Sequence, residues 1–142
     1  MVDSNSNQFK RIILTIMGAD LKTAGFRKNK ALFALEQNDT TLFVQLQSSM
    51  KTTKDVLVVT VNLGIFSRSV AESVGNTHEP NIYDAQWRAR IGCFLPGGSD
   101  KWWEVRSEQD AEACGLEITK LLIDKALPEM RRLASTESSM SL

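Results

Sequence analysis

The chain has 142 residues, 42% of them hydrophobic, and its 17 acidic and 17 basic residues cancel at pH 7. This length and composition fit one globular domain. The balanced charge argues against a general binder of nucleic acid or anionic membranes, because such proteins carry a basic excess. No apolar run reaches the roughly 18 residues of a membrane span, and the polar N-terminus lacks the apolar core of a signal peptide. A cytoplasmic protein without a membrane partner is therefore expected.

The first predicted element is an amphipathic helix. Residues 1–8 are polar and are expected to be disordered. From Phe9 onward, apolar residues recur at steps of three and four, which is typical of a helix with one buried face. Gly25 is well placed to end this helix in the left-handed conformation. The sequence at 27–30 is expected to form a short basic turn.

Three antiparallel strands are predicted next, at 31–36, 41–47 and 55–66, with a polar turn at 37–40. The third is the most apolar stretch of the chain, and its alternation indicates a central strand with one fully apolar face. Strand side chains alternate between the two faces of a sheet. On the face away from the core, the alternation places Phe43, Gln45, Gln47, Thr60 and Asn62.

The segment 67–84 is polar, carries Gly75 and Pro80, and shows no clear period. A structureless loop of this length is unusual in a compact domain, so it is a candidate for covering part of the sheet or for contacting a partner. Two further strands are predicted at 85–91 and 101–106. Their alternation places Trp87 and Trp103 on the core side, and Arg88, Arg90, Trp102, Glu104 and Arg106 on the outward face.

A second amphipathic helix is predicted from about residue 107 to Ala126, where Pro128 disfavours a helical conformation at the preceding residue. Residues 134–142 read as a polar tail, which leaves a single domain at 9–133. Two amphipathic helices suffice to cover one face of a sheet of about five strands. The predicted fold class is therefore α+β, in two layers, with the N- and C-terminal helices on the same face of an antiparallel sheet.

No catalytic or cofactor-binding motif is recognised. Cys93 and Cys114 match no metal-ligand spacing, and His78 is the sole histidine. Phosphate-binding glycine loops and nucleophile elbows are absent from the sequence. No catalytic residue, metal site or cofactor is therefore predicted. An enzyme that uses scattered acids and Lys101 is the third and weakest of the alternatives.

The outward face of the sheet is the candidate functional surface. Arginines, amides and exposed aromatic residues are typical of a protein interface, and a non-enzymatic module that binds a protein partner is the first hypothesis. An immunity or toxin-neutralising role is one version of it. The alternative is a small anionic ligand bound by the arginines, and a solvated polar face with no function is equally compatible. The candidate binding residues are Arg88, Arg90, Trp102, Phe43, Gln45, Gln47 and Asn62.

Two blocks of sequence resemble a known family. The stretches at 84–92, which contains Trp87-Arg-Ala-Arg90, and at 95–103, which ends in a Trp-Trp pair, are similar to the bacterial domain-of-unknown-function family 4304. Gly25–Lys28 and Val61–Ile65 also match, so the resemblance covers roughly residues 8–130. It implies an α+β domain of a soluble bacterial protein and brings no activity. Ala85–Gln86 stand where the family pattern has Cys–His, so no role of that pair is implied here.

Overall fold

The computed structural model describes residues 4–140, and only the backbone of residues 136–140. Helix α1 runs from Asn5 to Thr23 and begins at a Ser4 cap, whose hydroxyl accepts a hydrogen bond from the Asn7 N–H. It therefore starts before Phe9, and the predicted disorder is wrong for residues 5–8; residues 1–3 lie outside the described part. As predicted, Gly25 ends the helix, with φ 101°. The proposed domain limits at 9 and 133 stay predictions.

The sheet is antiparallel and six-stranded. The strands are β1 (Arg27–Asn29), β2 (Leu32–Gln37), β3 (Thr40–Ser48), β4 (Leu57–Ser67), β5 (Trp87–Arg90) and β6 (Trp103–Val105). Strands β1 to β4 form a meander in chain order, and β5 and β6 both pair with the same central strand, β4. The α+β class and the antiparallel sheet are confirmed.

The basic segment after α1 is an edge strand and not the predicted turn. Arg27 pairs with Ala34, and Lys30 turns the chain with a positive φ of 56°. All three residues of β1 are exposed. A short, charged strand is a common way to protect the edge of a sheet from pairing with another chain.

The principal core lies between one face of the sheet and the helices. On this face β4 contributes Leu57, Val59, Val61, Leu63 and Ile65, all of which are 2% exposed or less. Burial of such side chains stabilises the fold by about 1.5–3 kcal/mol each. Trp87 and Trp103 lie on the same side, opposite Ile65 and Val59, as the alternation predicted.

The C-terminal helix does not stop near Ala126. Helix α3 (Glu108–Leu121) passes into a π-helical turn at Leu122–Ala126 and continues as α4 (Leu127–Met140). In the π turn the Leu127 N–H donates to the Leu122 carbonyl, five residues back. The wider turn accommodates Pro128, which has no N–H to donate in a regular helix.

The other face of the sheet carries a smaller core at one end. Helix α2 (Arg68–Ser73) and a 3₁₀ turn at Ile82–Asp84 fold over it. We call this stretch, residues 68–85, the cover segment. Its apolar cluster consists of Phe43, Phe66, Ala71, Ile82 and Ala85, each 8% exposed or less.

Asp39 anchors the cover segment to the turn between β2 and β3. Its carboxylate accepts hydrogen bonds from the Ser67 hydroxyl (2.9 Å) and from the Ser69 hydroxyl and N–H (2.6 and 2.9 Å). Burial acts to raise the pKa of Asp39, but the hydrogen bonds from Ser69 and Ser67 outweigh it and hold the pKa below 3.8. Asp39 therefore stabilises the fold when it is ionised.

We expect Asp39→Asn to lower the free energy of unfolding by about 1 kcal/mol at neutral pH, because charge-assisted bonds to a helix terminus are lost. A lowered native pKa contributes stability above the unfolded value near 3.8, and that contribution disappears as pH falls through the native pKa. Urea unfolding should show that the difference in unfolding free energy between wild type and Asp39→Asn is smaller near pH 2 than at neutral pH. Glu72→Gln, on the exposed face of α2, is the control; an equal loss of stability at both pH values would contradict the prediction.

Candidate functional site

The sheet surface beyond the cover segment holds the candidate site. Along β4, the residues that point to this face are Val58, Thr60, Asn62 and Gly64. In the register of the sheet, Asn62 lies opposite Arg90 of β5 and Gln45 of β3, and Gly64 opposite Arg88 and Phe43. Cross-strand neighbours are about 5 Å apart, so their side chains meet. The structure therefore brings most of the predicted residues into one cluster.

Three amide side chains form a chain of hydrogen bonds across this face. The Asn62 amide nitrogen donates to Gln47 (2.6 Å) and to Gln45 (3.1 Å). The Gln45 amide in turn donates to the Tyr83 hydroxyl at 3.4 Å, which joins the network to the cover segment. All three amides are only half-buried. They are positioned by one another. Both N–H groups of Asn62 are used within the network, whereas Gln45 and Gln47 keep lone pairs and N–H groups for a bound molecule.

Arg90 is held on three sides. Its Nε donates to the Asn62 Oδ1 at 3.3 Å, and its NH1 forms an ion pair with Asp100 at 2.6 Å. Its guanidinium lies 4.9 Å from the centre of the Trp102 ring, and the Trp102 indole N–H donates to the same Asp100 oxygen at 3.1 Å. Because the ion pair is exposed, it contributes roughly 0–1 kcal/mol; its main effect is to fix Arg90 and neutralise its charge.

Arg88 differs from its neighbour. It is exposed, and its side chain has no hydrogen bond or ion pair with the side chains of residues 4–135 or with the described backbone. Beside it lies an open depression of about 780 Å³, the Arg88 groove, whose lining contains no acidic residue. Lys10 of α1 adds a further cation to the lining, which already includes Arg88 and Arg90. The groove is lined on this face by Gln45, Gln47, Asn62, Tyr83, Arg88 and Arg90.

One of the predicted site residues is not exposed as the sequence predicted. Phe43 is 3% exposed, because the cover segment packs on it, so its assignment to the exposed surface is wrong. Trp102 lies on the outward face, as the alternation placed it, and is half-buried over Arg90. Thr60 is fully buried, and its hydroxyl donates to the Lys101 carbonyl at 2.6 Å.

Sequence patterns missed three contributors: Lys10, Tyr83 and Asp100. Lys10 belongs to the opposite layer of the fold, and Tyr83 and Asp100 lie outside the strands, so no alternation could assign them to a face. A weak signal for Asp100 did exist, since it is two residues from Trp102 and just beyond a glycine turn. Only the three-dimensional path of the 95–102 connection brings its carboxylate to Arg90.

The two thiols are poorly suited to nucleophilic chemistry. Burial raises the pKa of Cys114 to about 12, with a further increase from the Glu117 charge. Burial also raises the pKa of Cys93, and a raised pKa leaves little reactive thiolate at neutral pH. Among the side chains of residues 4–135, no three His, Cys, Asp or Glu residues cluster as a metal site would require.

None of the described helices has both the length and the apolar character needed to cross a membrane. A comparison with family models matches residues 17–132 to a family described as "Domain of unknown function (DUF4304)". This match covers most of the chain, including every strand and all of helix α3. No curated protein and no solved structure matches the chain.

Proposed function

We propose that this chain, which belongs to the DUF4304 family, is a non-enzymatic interaction module that binds an acidic protein partner at the Arg88 groove. The observation that carries this proposal is Arg88 itself. It is an exposed arginine without a counter-ion among the described residues, beside a groove with no acidic lining. An acidic side chain of a partner would therefore meet an unopposed positive charge.

The rest of the groove supports recognition of a protein. Tyrosine and arginine are the residues most often responsible for binding energy at interfaces, and Tyr83 is 68% exposed at the rim. The amides of Gln45 and Gln47 can donate to and accept from a partner's backbone. Because they are already connected to one another, little side-chain entropy is lost when they bind.

The experiment is affinity capture followed by measurement on the purified pair. Immobilised wild type is compared with Arg88→Glu, and with Lys28→Glu on the distant edge strand β1 as the charge-matched control. We expect Arg88→Glu to weaken the captured complex by at least about 30-fold, measured by calorimetry. The substitution replaces the unpaired cation by a negative charge, which repels the acidic partner. A partner that binds both variants equally well would contradict the proposal.

We extend this proposal to a bacterial origin, a cytoplasmic location and an immunity role. They rest on the family resemblance and on the module's small size, and a captured acidic toxin would identify the immunity role. The affinity should also fall as salt is raised, since an exposed charge pair is screened within about 10 Å at 0.1 M salt.

A small anionic ligand is the second candidate, and the shape of the groove favours it. Its volume of about 780 Å³ lies within the roughly 300–1,000 Å³ of small-molecule sites, and Arg88 and Arg90 project from alternate residues of one strand. A thermal-shift screen of citrate, phosphate and short dicarboxylates tests it. A concentration-dependent rise in Tm that is lost in Arg88→Ala and kept in Lys28→Ala would favour this candidate.

A further inference from the structure

A second depression of about 650 Å³ lies on the same side of the sheet, at the opposite end from the cover segment. It combines apolar side chains with two cations and one carboxylate at its sides. We call it the Trp102 depression. Its lining includes Val56, Val58 and Trp102, with Lys51, Glu104 and Arg106 around them.

The two depressions follow one another along β4. Val58, opposite Glu104, belongs to the Trp102 depression, and Asn62, opposite Arg90, belongs to the Arg88 groove. Arg88 lies opposite Gly64, six residues beyond Val58. At about 3.3 Å per residue, the two ends are roughly 20 Å apart. Between them stands the Arg90–Asp100–Trp102 cluster, in which Trp102 forms a wall of one depression and Arg90 a wall of the other.

The charges along this row are uneven. Arg90 is neutralised by Asp100, and Arg106 has a longer contact of 3.5 Å with Glu104. Lys51 and Arg88, by contrast, have no ion pair among the side chains of residues 4–135. The face therefore presents an unopposed cation at each end, and the Trp102 end adds the apolar side chains of Val56 and Trp102. A complementary ligand carries an acidic group at the Arg88 end. At the Trp102 end it carries an apolar group with an acidic group beside it.

We propose that the partner presents an extended peptide segment that spans both depressions, passing over the Arg90–Asp100–Trp102 cluster in a direction roughly parallel to β4. An acidic side chain meets Arg88, and a large apolar side chain enters the Trp102 depression roughly six residues away, since an extended peptide rises by about 3.3 Å per residue. A second acidic residue lies beside Lys51. This inference rests on the function proposed above and assigns to the same face a second subsite and a peptide motif.

The test is selection from a random dodecapeptide display library on the immobilised full chain. We expect enriched peptides to carry an acidic residue and a large apolar residue separated by about five to seven positions. A synthetic peptide of the enriched sequence is then titrated by fluorescence anisotropy. Val56→Ser should weaken its binding about tenfold by removing apolar contact, and Arg88→Glu by at least about 30-fold. Lys28→Glu is the control and should bind as wild type.

Each other outcome overturns the inference. Enriched peptides with acidic residues alone, unaffected by Val56→Ser, would remove the second subsite while leaving the Arg88 groove as the proposed function. Peptides that bind Arg88→Glu as well as wild type would overturn both proposals. The absence of any enriched sequence, or tighter binding of a single-stranded oligonucleotide of matching length, would exclude the extended peptide. Circular dichroism of each variant verifies that it is folded.

Discussion

Replacing Gly92 by alanine is expected to lower the free energy of unfolding by about 3 kcal/mol. Gly92 is buried where the chain leaves β5, and the returning 99–101 segment crosses directly over it. An added Cβ would collide with the Ser99 carbonyl oxygen and would lie 2.8 Å from the Lys101 nitrogen. Both obstacles are backbone atoms, so no side-chain rotation relieves the contact and the segment itself must move.

The same displacement should disturb the candidate site. Asp100 lies within the segment that would be pushed away, and it holds both Arg90 and the Trp102 indole. We therefore expect a changed tryptophan emission spectrum together with the lower midpoint in urea unfolding. Gly18→Ala is the matched control, since its Cβ would make only ordinary contact with the Phe33 ring at 3.7 Å. In a helix interior that change should stabilise by about 0.5–1 kcal/mol. If Gly92→Ala were as stable as wild type, the 99–101 segment would pack less closely on Gly92 than described, which would contradict the prediction.

Phe43→Ala is expected to destabilise the fold by about 3–5 kcal/mol, the range for removing a buried aromatic side chain. Phe43 is 3% exposed and packs with Phe66 and Ile82 beneath the cover segment. The neighbouring strand position is Gly64, where an added Cβ would come within 3.1 Å of Ile82 and Ala85, so this small core is closely packed. The measurement is the free energy of unfolding from chemical denaturation.

The variant also separates a structural role of Phe43 from a binding role. Any loss of partner affinity should follow the folded fraction, whereas Arg88→Glu should weaken binding without a comparable loss of stability. Tyr83→Ala is the nearby control, because Tyr83 is 68% exposed and a surface substitution of this kind usually changes stability by about 0.5 kcal/mol or less. Unchanged stability of Phe43→Ala, with binding lost, would return Phe43 to the interface.

Alternation along the strands was sufficient to predict five of the six strands and their faces. The period of two assigned Trp87 and Trp103 to the core side, and Gln45, Asn62 and Arg90 to the other, because a slip of one residue would have buried charged side chains. The amphipathic helices were predictable from the spacing of their apolar residues. Ile13 and Met17 lie on the buried face of α1, and Ile118 lies on the buried face of α3. Local signals such as Gly25 after α1 were equally informative, because few other residues adopt a positive φ without strain.

Contacts between distant segments decided the remainder. The length of the 67–84 stretch made it a candidate for covering part of the sheet, but its sequence has no period. It therefore did not indicate that Ile82, and Ala85 just beyond it, would bury Phe43. The continuation of the C-terminal helix past Pro128 depends on a π turn. In the site, the sequence alone selected the cluster of Gln45, Gln47, Asn62 and Arg90. That Asp100 neutralises Arg90 and leaves Arg88 unopposed was decided by the tertiary path of a turn, because loop side chains follow no repeating geometry from which a neighbour can be inferred.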